Sequence, residues 1–136
     1  MGKQISFVPY DLSSLADPSN ILSIYRNSLK HQEAVKKALI QAARIKGPIL
    51  LFSAKDDQMW PSVEMSDMIM HTLRDHKFSC AYEHISYDDA GHTMTEYYMM
   101  GGTREGNRKA RIDSSEKMLS FLDKLSAEEP GTADCR

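Results

Sequence analysis

Cysteine is scarce: Cys80 and Cys135 are the only two in 136 residues. Two thiols are too few for the disulfide framework of a small secreted domain, so a reducing, cytoplasmic compartment is the expected setting. A surplus of positive charge is missing as well. Seventeen basic against nineteen acidic residues leave a formal net charge of −2. With no long run of either sign, the electrostatic footprint of a nucleic-acid-binding protein is absent. No apolar stretch approaches the roughly 18 residues of a membrane span, and the first residues lack the apolar core of a secretory signal peptide. Neither internal repeats nor low-complexity tracts occur. What remains is 41% hydrophobic and 26% charged residues, the balance of a soluble globular domain. A chain of this length buries about two-thirds of its extended surface on compact folding, enough for one core.

Methionine, by contrast, is abundant, at nine residues. Met68, Met70, Met94, Met99 and Met100 either fill core gaps or line an adaptable apolar pocket, because the thioether is flexible and polarizable. The opening Met1-Gly2-Lys3-Gln4-Ile5-Ser6 fits the N-myristoylation pattern, which is short enough to arise by chance.

The chain divides by composition into three parts. Residues 1–19 read as an irregular segment punctuated by Pro9, Asp11, Ser13, Ser14, Asp17 and Pro18, and 127–136 as a flexible polar tail containing Pro130-Gly131. Between them, 20–126 alternates helical and strand patterns. Asn20 is suited to cap a helix whose apolar positions are Ile21, Ile24, Tyr25 and Leu29. A second helical pattern, Ala34, Val35, Ala38, Leu39 and Ala42, runs to the breakers Gly47-Pro48. The continuous apolar run Ile49-Leu50-Leu51-Phe52, ending at Ser53, suits a strand covered on both faces. Pro61 and Ser62 open a helix with Met65, Met68, Ile69, Leu73 and His76 on its inner stripe. Cys80 to Tyr87 reads as a second strand. Asp113-Ser114-Ser115-Glu116 has capping-box spacing ahead of Met118, Leu119, Leu122 and Leu125, although that helix can begin as early as Arg104. This order is α/β in type: two parallel strands with flanking helices. Two such strands cannot bury both faces and both edges, so the pattern looks like the end of a larger sheet.

Asp57 and His92 each follow a strand at its C-terminal end, the edge where ligand sites of open α/β sheets gather. A carboxylate there can accept from imidazole Nδ1–H, which frees Nε2 to take a proton from a nucleophile. Aspartate before histidine is the latter part of the Ser…Asp…His order of α/β-hydrolases. The other reading is a loop aspartate and a loop histidine that never meet. No Gly-x-Ser-x-Gly or Gly-x-Cys-x-Gly nucleophile elbow occurs in the 136 residues. The nearest spacing match, Gly102-Thr103-Arg104-Glu105-Gly106, has arginine at its centre. Cys80, the one internal thiol, sits at a strand position that suits core filling rather than nucleophilic attack. His71 and His76 are five apart, unlike the i, i+4 pair of a helical zinc site, while His84 reads as a strand histidine and His31 lies near a helix start. No metal site and no cofactor-binding motif is expected.

A family resemblance adds to this reading. Gly47-Pro48-Ile49-Leu50-Leu51-Phe52-Ser53-Ala54-Lys55-Asp56-Asp57-Gln58-Met59-Trp60-Pro61-Ser62 resembles the penultimate-strand segment of the bile-acid-CoA:amino-acid N-acyltransferase/acyl-CoA thioester hydrolase family. Tyr87-Asp88-Asp89-Ala90-Gly91-His92 resembles its histidine loop, and Gly101-Gly102-Thr103 with the helix through Phe121-Leu122 its closing segment. The likeness runs over about residues 45–125, and weakly over the helices before them, and the Asp-Asp…Trp…Ala-Gly-His combination is specific within the wider dienelactone-hydrolase-like group. It implies that Asp57 is the triad acid and His92 the general base, with Asp56 shaping the loop and Trp60 packing it rather than touching substrate. Three positions depart from the family pattern: Ala54 where glycine is common, Asp88 where proline is usual, and Ala43 where glutamate is common.

The resulting expectation is the C-terminal part of an acyl-CoA thioesterase/acyltransferase-type α/β-hydrolase, lacking the N-terminal half of its sheet. Such a chain supplies the acid and the base but no nucleophile, so alone it is inactive. Its substrate in a complete enzyme, by resemblance, is an acyl-CoA or a related thioester or ester. The alternative is a non-catalytic α/β module that binds a partner or a second copy of itself; a third reading is a half-enzyme completed by an N-terminal partner chain.

Overall fold

The computed structural model describes residues 5–14, 20–127 and 135. The myristoylation pattern at residues 1–4 and most of the tail, 128–134, lie outside the described residues, as do 15–19. Helices α1 (Ile21–Ser28) and α2 (Gln32–Ala38) precede strand β1 (Ile49–Ala54). Helix α3 (Ser62–Asp75), strand β2 (Tyr82–Tyr87) and helix α4 (Arg104–Ala127) follow. The fold is α/β, with the two strands parallel and in register from Ile49 opposite Tyr82 to Ala54 opposite Tyr87.

Side chains alternate across a strand, and each face of this sheet has its own cover. Ile49 and Leu51 face α3, where they pack with Leu73, Ile69 and Met70, closed by Ala42, Phe78 and Tyr82. Leu73 is wholly buried, a burial worth about 1.5–3 kcal/mol. On the opposite face Ala54 packs with Ala90 and Ala110, flanked by Tyr87 and Met94. Small residues on β1, the histidine loop and α4 let these three segments approach closely.

Local structure follows the sequence in several places. Asn20 caps α1, its side-chain oxygen accepting from the Ser23 N–H at 3.0 Å. Pro61 stands at the N-cap of α3, where its missing N–H costs nothing. Other expectations need correction. The second helical pattern breaks at Leu39, whose backbone turns extended, and resumes as a short 3-10 turn at Ala42–Arg44. The break turns Ala42 into the core beside Ile49 and Leu73. His76 does not extend the buried stripe of α3; it caps the helix and is exposed. Asp113 starts no helix, because α4 runs unbroken from Arg104. Its carboxylate instead accepts from the Tyr87 hydroxyl at 2.7 Å and binds Lys117.

The methionines do not converge on one pocket. Met70 and Met94 pack in opposite cores, whereas Met68 lines a separate apolar pocket of about 120 Å³ with Met65, Val35 and Leu39. Met99 is exposed. Cys80 is buried but is no unpaired core thiol, since it is disulfide-bonded to Cys135. No helix among the described residues is long and apolar enough to cross a membrane.

The Tyr87 phenol is raised above its ordinary pKa, first by burial and then by its hydrogen bond to Asp113. An unfolded chain loses that proton near pH 10 while the folded one keeps it, so stability is present below pH 10 and falls as pH rises beyond it. Urea unfolding should therefore show a midpoint that declines above pH 10, and less steeply in Tyr87→Phe.

Candidate active site

Two loops meet beyond the C-terminal ends of the strands. The loop after β1 is laced to the loop after β2 by backbone bonds: Lys55 N–H to the Tyr87 carbonyl at 2.9 Å and Asp56 N–H to the Ala90 carbonyl at 3.1 Å. Met100 then ties both together, its carbonyl accepting from Gln58 N–H at 3.1 Å and from His92 N–H at 3.0 Å. The pairing of parallel strands sets this meeting, because it puts both strand ends on the same edge.

Within this edge the Asp57 carboxylate and the His92 ring are 3.1 Å apart, Oδ2 to Nδ1. Asp57 is buried, at 5% exposure. Its other oxygen, Oδ1, accepts from the Met59 and Trp60 N–H groups at 2.9 and 2.8 Å. The carboxylate is thus held by two backbone donors on one side and faces the imidazole on the other. The His92 side chain keeps 22% of its surface exposed, and its Nε2 makes no hydrogen bond among the described residues. Trp60 packs against the ring, centroids 4.9 Å apart and planes at 67°, and reaches Tyr25 on its far side at 6.1 Å. A carboxylate facing Nδ1 can accept from an Nδ1–H, and in that tautomer Nε2 carries a free lone pair.

The neighbouring acid has a separate task. Asp56 Oδ2 accepts from the Gly102 N–H at 2.7 Å, and Oδ1 from Gln58. It joins the first loop to the segment that leads into α4. Asp88 forms an ion pair with Lys55 across the two loops.

Sequence reasoning missed Asn107. This residue is fully buried on α4. Its Oδ1 accepts from the Gly91 N–H at 2.9 Å, and its Nδ2 donates to the Gly101 and Thr103 carbonyls at 3.1 and 3.0 Å. All three bonds brace the residue before His92 and the Gly101-Gly102 turn. Glycine is required where these backbones touch. A Cβ on Gly91 would lie 2.1 Å from the Gly101 carbonyl oxygen, and Gly101 itself has φ +94°. No local signal marks Asn107, because the first turns of α4 are mostly polar and only the packing of α4 on the glycine turn buries this amide.

A second Ser–His–Asp arrangement, also unforeseen, lies at α3, its serine hydrogen-bonded to the histidine and its aspartate at ion-pair distance. Ser53 Oγ is 2.7 Å from His84 Nε2, and His84 Nδ1 is 3.3 Å from Asp67 Oδ1. Ser53 is 1% exposed and sits within β1, so no substrate carbonyl can reach its hydroxyl. The hydroxyl can donate or accept, which satisfies either histidine tautomer and ties β1, β2 and α3 together.

His71 and His76 each turn Nδ1 back to a carbonyl of their own helix, and His31 stands at the N-cap position of α2 near Asp11. No three histidine, cysteine or acidic side chains converge on a common point among the described residues. Gly102 bridges to Ala90, and Arg104 to Gly106 belong to α4. That stretch is therefore not a nucleophile elbow.

Residues 2–100 match the family model described as BAAT / Acyl-CoA thioester hydrolase C terminal. The chain belongs to this family. The match reaches further toward the N-terminus than the resemblance carried by the loops, and it ends just before Gly101. No curated protein and no solved structure matches the chain significantly. The BAAT/acyl-CoA thioester hydrolase C-terminal domain is α/β-hydrolase-like, and membership makes this chain part of a hydrolase family of acyl-CoA thioesterase/acyltransferase type.

Proposed function

We propose that this chain is the C-terminal part of an acyl-CoA thioesterase or acyltransferase, in which Asp57 and His92 are the acid and base of a catalytic triad. The observation that carries the reading is the 3.1 Å contact between Asp57 Oδ2 and His92 Nδ1, with the second carboxylate oxygen already held by two backbone N–H groups. In the complete enzyme His92 Nε2 accepts the proton of a serine or cysteine on an upstream segment as that nucleophile attacks the thioester carbonyl. The tetrahedral intermediate collapses, the C–S bond breaks, and the imidazolium returns its proton to the departing coenzyme A thiolate. Water or an amine then attacks the acyl-enzyme by the reverse sequence, His92 again acting first as base and then as acid. Asp57 keeps the ring in the required tautomer throughout.

Among the described residues no serine or cysteine side chain is hydrogen-bonded to His92 to serve as a nucleophile. We expect the purified protein to hydrolyse acyl-CoA no faster than buffer, and a thioesterase activity lost in His92→Ala would refute this. The pair can be tested without turnover. Nitrogen NMR of the imidazole should report the Nδ1–H tautomer for His92, and Asp57→Asn should abolish that preference. An unchanged tautomer in the variant would sink the assignment of Asp57 as the orienting acid.

One observation favours a second reading. Among the described residues each strand of the two-stranded sheet has an unpaired edge, and Met118, Leu119 and Leu122 are exposed along α4. A module that associates with itself or with an N-terminal half would cover them. Light scattering at micromolar concentration decides the self-association: a monodisperse monomer excludes it.

A further inference from the structure

Beyond the histidine loop, a groove of about 730 Å³ runs along the first two turns of α4. Arg104, Arg108 and Lys109 line it from the helix, and Tyr97 from the loop. Two carboxylates share the groove, and each is already engaged. Glu105 binds Lys109 at 2.6 Å, and Glu96 accepts from Arg111 Nε at 3.1 Å. Arg111 is the main cause of the low pKa of Glu96, with a weaker pull from Arg108; Lys109 also faces Asp89. Arg104 has neither hydrogen bond nor ion pair among the described residues. Four cations therefore meet Glu96, Glu105 and, at the margin, Asp89, in a chain whose overall charge is −2. Arg104 and Arg108 are four residues apart on one helix face, a like-charge spacing that destabilises a helix unless an anion lies between them.

Tyr97 is equally without a hydrogen bond or ring contact among the described residues. It is 90% exposed, although a tyrosine ring is a large apolar surface with a polar tip. Guanidinium groups match phosphate oxygens in geometry and charge, and an exposed aromatic ring offers a face on which a nucleobase stacks. Cations and ring together recognise a phosphorylated nucleoside.

We propose that this groove binds the phosphate-bearing adenosine end of a coenzyme A thioester, Arg104 and Arg108 holding phosphate oxygens and Tyr97 stacking on the base. The ligand's identity rests on the acyl-CoA reading given above; the phosphate chemistry rests on the groove alone. Arg104 follows the Gly101-Gly102 turn that Asn107 and Asp56 tie to the histidine loop. A substrate held here is therefore held on the same braced unit as His92.

Calorimetric titration of the whole chain with free coenzyme A at low salt tests this, because binding needs no nucleophile. Wild type should bind, and the affinity should fall as salt rises. Arg104→Ala/Arg108→Ala should weaken it roughly tenfold or more, and Tyr97→Ala by a smaller factor. Both sites of change are exposed, so circular dichroism should show the fold intact. Asp57→Asn and His92→Ala should bind like wild type, so a failed triad assignment leaves this result standing. No binding at millimolar coenzyme A would overturn the proposal, as would undiminished binding by the double arginine variant. Equal binding of pantetheine would show that the phosphates are not read, and equal binding of ADP would replace coenzyme A by a free nucleotide; either result overturns the assignment.

Discussion

Joined behind the nucleophile-bearing portion of a complete member of its family, the chain is expected to hydrolyse acyl-CoA, and His92→Ala to lower kcat by about 10⁴-fold or more. That factor corresponds to about 5.5 kcal/mol of transition-state stabilisation. The size follows from the position of the ring. Among the described residues His92 is a partly exposed ring with one nitrogen on a buried acid and the other without a hydrogen bond. Asp57→Asn in the same chimera should cost about 10²–10⁴-fold, because an amide can hold the wrong tautomer. Asp56→Asn should cost far less, since Asp56 serves the Gly102 backbone and not the imidazole. A chimera that folds, binds substrate and loses no activity in His92→Ala would remove the triad reading. Loss in Asp56→Asn as large as in Asp57→Asn would move the acid by one residue.

The second large effect is structural and reaches the same site. Gly91→Ala should destabilise the chain by about 3 kcal/mol, whereas Gly47→Ala should change stability by less than about 1 kcal/mol. A methyl on Gly91 meets the Gly101 carbonyl at 2.1 Å and the Met100 carbonyl oxygen at 2.7 Å, both backbone atoms with no side chain to swing aside. Relief requires the two loops to part. That breaks the Asn107 bond to Gly91 and the His92 N–H bond to Met100, and a buried N–H left unpaired adds its own cost. Gly47 has open space around its Cβ position, so the same substitution there chiefly stiffens the unfolded chain. Urea melts of the two variants read the difference directly. Equal stabilities would mean that the loops are not packed on each other as described, and His92 would then lose its fixed approach to Asp57.

These effects divide along a physical line. Much of the fold was legible in the residues because its signals are local. Asn20 announces α1, Pro48 precedes the apolar run of β1, and Pro61-Ser62 opens α3, each through backbone chemistry that acts within a few residues. The pairing of Asp57 with His92 was also within reach, since two parallel strands must end on one edge whatever fills the core between them. The capping-box spacing at Asp113 misled for the converse reason. A cap is local, but Asp113 is claimed by Tyr87, 26 residues away, and the buried Asn107 and Ala110 carry the helix back to Arg104.

Only tertiary structure decided the remainder. Ser53, His84 and Asp67 come from three separate elements, and nothing in their spacing marks them as partners. Cys80 and Cys135 are 55 residues apart, and nothing local marks them as the bonded, bridge-forming pair they are. Asn107 reads as an unremarkable helical residue until α4 lies against the glycine turn. The amino-acid order alone determined the helix and strand types, the family and the two side chains offered for acid–base work, because these depend on residue chemistry and short-range pattern. How those side chains are braced, and that Arg104 and Arg108 share one groove with Tyr97, was settled by packing, since hydrogen bonds and burial act between atoms that the chain brings near each other only when it folds.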